Sequence, residues 1–220
     1  ICHRRLIRPR AAFFAPGAVI RQIFAQNKNR SQIRQTKIIW SPVIIGGRSM
    51  LDKLSLGLRT ELMMLKPFGG LTSHFDCLQF VSPAMPDYFF GNCLIFSKPP
   101  EAGDFSRWTS RFETLFAEMA GIRHQTFLWP SHRFDPSDIL PFTEAGFELD
   151  ATAVMASTHP KAHRSLGRGI ALRQVTSDAD WQAASDLQIS VGLEDMEYAG
   201  YSDFERRRMA VLRRWAEAGN

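Results

Sequence analysis

Apolar positions along this chain alternate between two periods, and the alternation itself predicts a fold class. Residues 77–81 and 92–96 are short apolar runs bounded by Pro, Asp and Gly, the pattern of buried strands. Between Asp104 and Gly121 the residues Trp108, Phe112, Leu115, Phe116 and Met119 recur at helical spacing, while Arg107, Arg111, Glu113 and Glu118 lie off that face. A helix is expected there, capped by the Asp104 carboxylate and stopped by Gly121. Residues 125–129 predict a strand ended by Pro130, residues 136–145 a short helix closed by Gly146, and residues 149–158 a strand rich in Ala, Val and Thr. Ahead of these, the weakly patterned apolar stretch from Met50 to Leu65, ended by Pro67, Gly69 and Gly70, predicts a short helical turn followed by a strand. The order strand, helix, strand, helix, strand argues for an α/β layer, a sheet flanked by helices.

Residues 159–169 read as a linker, polar and basic, with Pro160, Gly167 and Gly169 and no periodicity. A second unit is expected from Ile170. Residues 170–175 are strand-like, and Ser177 with Asp180 has capping-box spacing before a helix presenting Trp181, Ala184, Leu187 and Val191. Ser202 with Glu205 repeats that spacing before a helix with Phe204, Val211, Leu212 and Trp215 on one side. One strand and two amphipathic helices have apolar faces and nothing in their own sequence to bury them against. The unit therefore needs either the preceding domain or further strands, and truncation of a longer protein is the simpler expectation.

Charge divides the chain elsewhere. Residues 1–49 hold ten Lys or Arg and no acid, whereas residues 50–220 hold 17 basic and 22 acidic residues. The net charge of +5 thus averages a basic leader over an acidic body. A presequence, a nucleic-acid-binding arm and translated DNA upstream of a start codon at Met50 all fit an acid-free leader. Pro9, Pro16 and Pro42 interrupt the long amphipathic helix a presequence needs, and the charges are scattered among apolar residues rather than concentrated. The third reading is favoured, so folding is expected to begin near Met50. No apolar run approaches the roughly 18 residues needed to span a bilayer, and Cys77 and Cys93 lack zinc or redox spacing. A soluble, cytoplasmic protein is the expectation.

Leu172 to Trp181, followed by two helices, resembles the opening strand and helix pair of GNAT-superfamily N-acetyltransferases. The segment from Phe142 to Phe147 leading into a strand is similar to the aromatic-x-x-x-Gly-Phe join before a late strand of that fold. Residues 54–60 and 88–96 look like the start of certain bacterial two-domain members. The resemblance implies a mixed sheet flanked by helices: a degenerate GNAT-like domain over residues 50–160, a linker at 161–169, and at 170–220 the opening of a second, truncated domain. It implies acetyl transfer from acetyl-CoA to a small-molecule or peptide amine, with this chain an inactive fragment that binds no cofactor. It gives no catalytic residue.

Such chemistry needs a pyrophosphate cradle, R/Q-x-x-G-x-G/A between a strand and a helix, where backbone N–H groups face the anion. The equivalent junction at residues 97–104 does not match, because Pro99 and Pro100 remove donors and Glu101 repels phosphate. Arg164, Gly167 and Gly169 match by letters alone, with a strand-like run rather than a helix behind them, and read as a flexible linker. Glu194, Asp195, Glu197 and Tyr198 fall between the two late helices, where the resemblance implies an acceptor-amine site; turn solubility accounts for them nearly as well. His159 and His163 have helical metal spacing, but Pro160 favours a solvated loop and no metal is assigned. Arg206, Arg207, Arg208, Arg213 and Arg214 read as a solvated helix face, making nucleic acid an unlikely partner. A noncatalytic α/β binding module is the main rival to the transferase, and a nucleic-acid binder acting through the leader the weaker one.

Overall fold

A computed structural model describes residues 17–23, 50–131, 133–152, 169, 171–195 and 200–219. Its elements are β1 (Gly17–Ile23), a 3-10 turn (Met50–Lys53), α1 (Leu56–Leu65), β2 (Gly70–Ser73), β3 (Leu78–Val81), β4 (Asn92–Ile95), α2 (Asp104–Leu115), β5 (His124–Trp129), α3 (Pro136–Glu144), β6 (Glu148–Thr152), α4 (Asp178–Asp195) and α5 (Tyr201–Glu217). The sheet runs β2-β3-β4-β5-β1-β6. β2, β3 and β4 form an antiparallel meander. β4 and β5 are parallel, with Leu94 opposite Phe127 and Ile95 opposite Leu128. β1 is antiparallel to both β5 and β6, so those two run parallel with one strand between them.

Strand alternation sends the sheet's side chains to two cores. On one face Leu94, Phe96, Phe127 and Trp129 meet Trp108 and Phe112 of α2 and Ile139 and Phe142 of α3. Phe96 stacks on Trp108 with centroids 3.7 Å apart, and the Phe127 ring stacks on Phe147 at 5.7 Å. On the opposite face Leu78, Phe80, Cys93, Ile95 and Leu128 meet Leu58, Leu62 and Leu65 of α1, with Phe204, Val211 and Leu212 of α5 packed alongside. The mixed α/β class is thus present, with helices on both faces of the sheet.

Several local expectations need correcting. The stretch before Pro67 is a helix rather than a turn and strand: the Ser55 hydroxyl accepts from the Leu58 N–H, and Leu58, Leu62 and Leu65 form a buried stripe. Asp104 is the first helical residue of α2, behind a left-handed Gly103, and its carboxylate accepts from the Glu101 N–H instead of capping the first turn. Of residues 170–175, expected as a strand, Ile170 lies outside the described residues, and residues 171–175 adopt no regular structure and are exposed, because no neighbouring strand pairs with them. The Ser177–Asp180 box forms as expected, with Asp180 N–H to Ser177 Oγ and Ser177 N–H to Asp180 Oδ2. Its counterpart at Ser202 and Glu205 does not: α5 starts at Tyr201, two residues before the Asp203 that a Ser202 cap would set, and Glu205 turns inward. Part of the leader also lies in the sheet, as β1, whereas the charge break at Met50 had placed all of residues 1–49 outside the fold. Charge composition reports preference for solvent, while a strand's place is fixed by the ladders on either side of it.

Candidate functional site

In open sheets ligands bind beyond the carboxyl ends of parallel strands, which here means the ends of β4 and β5 and the start of α2. The residues there close the place rather than open it. Phe96, Trp108 and Trp129 are buried and fill the space under the strand ends with rings. The connecting loop is folded on itself, with Glu101 N–H to Asp104 Oδ2 at 3.0 Å, Asp104 N–H to Glu101 C=O at 2.9 Å, and Lys98 paired with Glu101 at 2.5 Å. Asp104 is buried and holds Arg107 at 2.7 Å. A carboxylate therefore already sits at the positive end of the α2 dipole, where a phosphate would otherwise be favoured.

Residues singled out from sequence are scattered. Arg164 and Gly167 lie outside the described residues, as do His159 and His163. Gly169 is exposed with φ +82° and open space around it, and the next helix starts only at Asp178. Glu194 and Asp195 end α4, and Glu197 and Tyr198 lie outside the described residues. Four of the five arginines of α5 are held by acids: Arg206 by Asp203, Arg207 by Asp87, Arg208 by Glu205 and Arg213 by Asp178 and Glu217. No group of three or more potential metal ligands occurs among the described residues. Nor, among them, is any helix long and apolar enough to cross a membrane.

The chemistry-bearing groups that do converge were not singled out from sequence as a site: Glu205 was read as a capping acid, Arg208 as part of a solvated helix face, and Cys93 only as lacking metal or redox spacing. Under α1 and α5, Glu205 gives its carboxylate to Arg208, and Tyr88 lies between Phe68 and Phe204 at 5.4 and 5.5 Å. Burial pushes the Tyr88 phenol and the Glu61 carboxyl up from their ordinary ranges. Asn92 ties this corner together, accepting from the Ser82 N–H and donating to the Met85 and Tyr88 carbonyls. Behind it His124 is buried, its Nε2 3.3 Å from the Asn92 carbonyl and its ring edge-on to Phe89 at 4.8 Å. Burial lowers its pKa to about 4, so the imidazole is neutral at ordinary pH. Cys93 lies beside them with a thiol that burial pushes far up, which leaves it without thiolate character. These groups act as packing partners, with His124 Nδ1 and Ser82 Oγ left without a hydrogen-bond partner among the described residues; a nucleophile with an adjacent base is not among them. The sequence signal for this corner is weak: Asn92 opens an apolar run, and His124 lies between the polar residues Arg123 and Gln125.

Against known proteins, no family model, no curated protein and no solved structure matches this chain.

Proposed function

We propose that the chain is built on the frame of a GNAT-superfamily N-acetyltransferase, with residues 50–160 a noncatalytic copy and residues 170–220 the opening of a unit that acts on an amine with acetyl-CoA. The observation that carries this reading is the turnover from an antiparallel meander, β2-β3-β4, into a parallel pair, β4 and β5, joined by a helix whose N-terminus follows the end of β4. Acetyl-CoA would present its pyrophosphate to that N-terminus in an active copy. Here Pro99, Pro100, Glu101 and the buried Asp104 refuse it on both steric and electrostatic grounds.

The test is calorimetric titration of CoA into the chain and into a variant that clears the junction, Pro99→Gly with Pro100→Gly and Asp104→Gly. No heat is expected from the unaltered chain, and binding with a Kd on the order of a millimolar from the cleared variant. A cleared variant that keeps its far-UV circular dichroism yet binds no CoA would remove the support for this reading.

A noncatalytic α/β interaction module is favoured by one observation: α5 packs on the first layer through Phe204, Val211 and Leu212 and the long-range Arg207–Asp87 pair. Nucleic-acid binding through the basic leader is favoured by no observation among the described residues, and the arginines of α5 offer no substitute, being largely held by acids. DNA affinity that falls with salt and disappears on removal of residues 1–49 would restore it.

A further inference from the structure

The slot between β5 and β6 is filled by a strand that arrives from far away in sequence, with 26 residues between Ile23 and Met50. That strand, β1, reads GAVIRQI. Residues 169–175 read GIALRQV. The two share Gly, Arg and Gln at the same three positions and are apolar at the other four. One copy is laddered on both sides, whereas residues 171–175 have no ladder, and Leu172 is 84% exposed.

We infer that residues 169–175 are a second occupant of the β5–β6 slot, exchanging with the leader strand within one chain. Register and charge fit this exchange. In the position of β1, Gly169 would stand opposite Thr152, Leu172 opposite Phe127 and Leu149, and Arg173 opposite Thr126 and Glu148, as Gly17, Ile20 and Arg21 do now. This register sets Arg173 directly across from Glu148, a favourable cross-strand pair. The following Gln, Gln22 or Gln174, falls opposite Gln125. Thr126 Oγ1 and Gln125 Oε1 are buried and find no partner among the described residues, so a polar pair suits these two positions better than an apolar one.

Connectivity favours the second occupant. β6 ends at Thr152 and 16 residues lead to Gly169, so the chain would return beside β6 as its antiparallel neighbour, a local closure. β1 must instead close a loop that contains most of the described protein. Against this, the ion pair of Arg173 with Asp180 would be surrendered; the Arg173 side chain is 69% exposed, so little is lost there. Leaving solvent would bury Leu172. The exchange makes the leader a displaceable plug, and it does not depend on the transferase reading.

Engineered disulfides in the full chain, with Cys2→Ser to remove the leader thiol, read the two states separately. Ile20→Cys with Leu149→Cys traps the leader strand; Leu172→Cys with Leu149→Cys traps its rival. Under mild oxidation the second pair is expected as a minor intramolecular product, identified by mass spectrometry of the digest. Adding Ile20→Pro, which breaks β1, should raise its yield about fivefold or more. Arg173→Glu, setting like charges across from each other, should abolish that cross-link and leave the Ile20–Leu149 pair unaffected. The inference fails if Ile20→Pro does not raise the yield, if the Leu172–Leu149 bond forms only between chains, or if Ile20→Pro unfolds the protein, since the second strand is then not filling the slot.

Discussion

Glu205 and Arg208, one turn apart on α5, form a forked ion pair in which both carboxylate oxygens accept from the guanidinium at 2.5 to 3.0 Å. Their exposures are unequal: the Glu205 side chain is 2% exposed and the Arg208 side chain 25%. Removing the two partners therefore has different consequences. Arg208→Ala strands a buried carboxylate and is expected to cost about 3 kcal/mol in urea unfolding, the range for breaking a buried pair. Glu205→Gln leaves a guanidinium that can turn to water and keeps one hydrogen bond, so its cost should be clearly smaller. Equal losses in the two variants would show that the carboxylate is not the buried partner.

Gly69 lies against β3 so closely that a Cβ there would stand 1.8 Å from the Val81 carbonyl oxygen and 2.7 Å from its carbon. The obstacle is backbone, which cannot rotate away as a side chain can. Gly69→Ala must push β2 from β3 at the sheet edge, for an expected loss of about 1 to 3 kcal/mol, the usual range for overpacking. Gly103→Ala meets nothing within 4 Å and should lose only the smaller amount that its left-handed φ of +84° imposes. Thermal unfolding of both variants decides the order.

How far the sequence could be read depended on whether an element carries its own signal. The region from β3 to β6 is legible because each element has one period and a stop, as with Trp108, Phe112 and Gly121 in and after α2. α1 is not, since exposed Leu56, Met63 and Met64 blur the buried stripe of Leu58, Leu62 and Leu65. β1 is illegible for a different reason: its partners, β5 and β6, lie more than a hundred residues away, and its own composition resembles the rest of the leader. Glu205 is the third kind of miss. Spacing from Ser202 marks a capping acid, and nothing in the one-dimensional pattern distinguishes that role from an acid swung in against Arg208. The acidic run that the resemblance singled out, Glu194 and Asp195 with Glu197 and Tyr198, is placed only as far as the end of α4.

Trp108 is the ring on which the first core is assembled. It stacks on Phe96 and lies 5.6 to 6.0 Å from Phe127, Trp129 and Phe142, with 1% of its surface exposed. Trp108→Ala should cost about 3 to 5 kcal/mol, the range for emptying a large aromatic site. Trp108→Phe should lose much less: its Nε1–H has no partner among the described residues, so replacing the indole forfeits volume without breaking a hydrogen bond. If Trp108→Phe proved as harmful as Trp108→Ala, the indole N–H would have to be making a contact of its own.

His124 makes the fold's stability depend on pH. Its folded pKa is lowered to about 4 by burial beneath Phe89, from an ordinary 6.5, with only the Asn92 carbonyl and the charge of Asp87 acting in the other direction. Between those two values the unfolded chain binds a proton that the folded chain refuses, so stability is full above pH 6.5 and drains away as pH falls towards 4. At 1.36 kcal/mol per pH unit the whole loss is about 3 kcal/mol, and below pH 4 this group contributes no further slope. His124→Asn cannot titrate and retains a donor for the Asn92 carbonyl, so it should start less stable at pH 7 because of its lost volume yet show a flatter profile. Urea midpoints for both proteins at half-unit steps from pH 7.5 to 4 make the comparison. Parallel curves across that window would mean that His124 has the same pKa in the folded chain as in the unfolded one, as a solvated imidazole does.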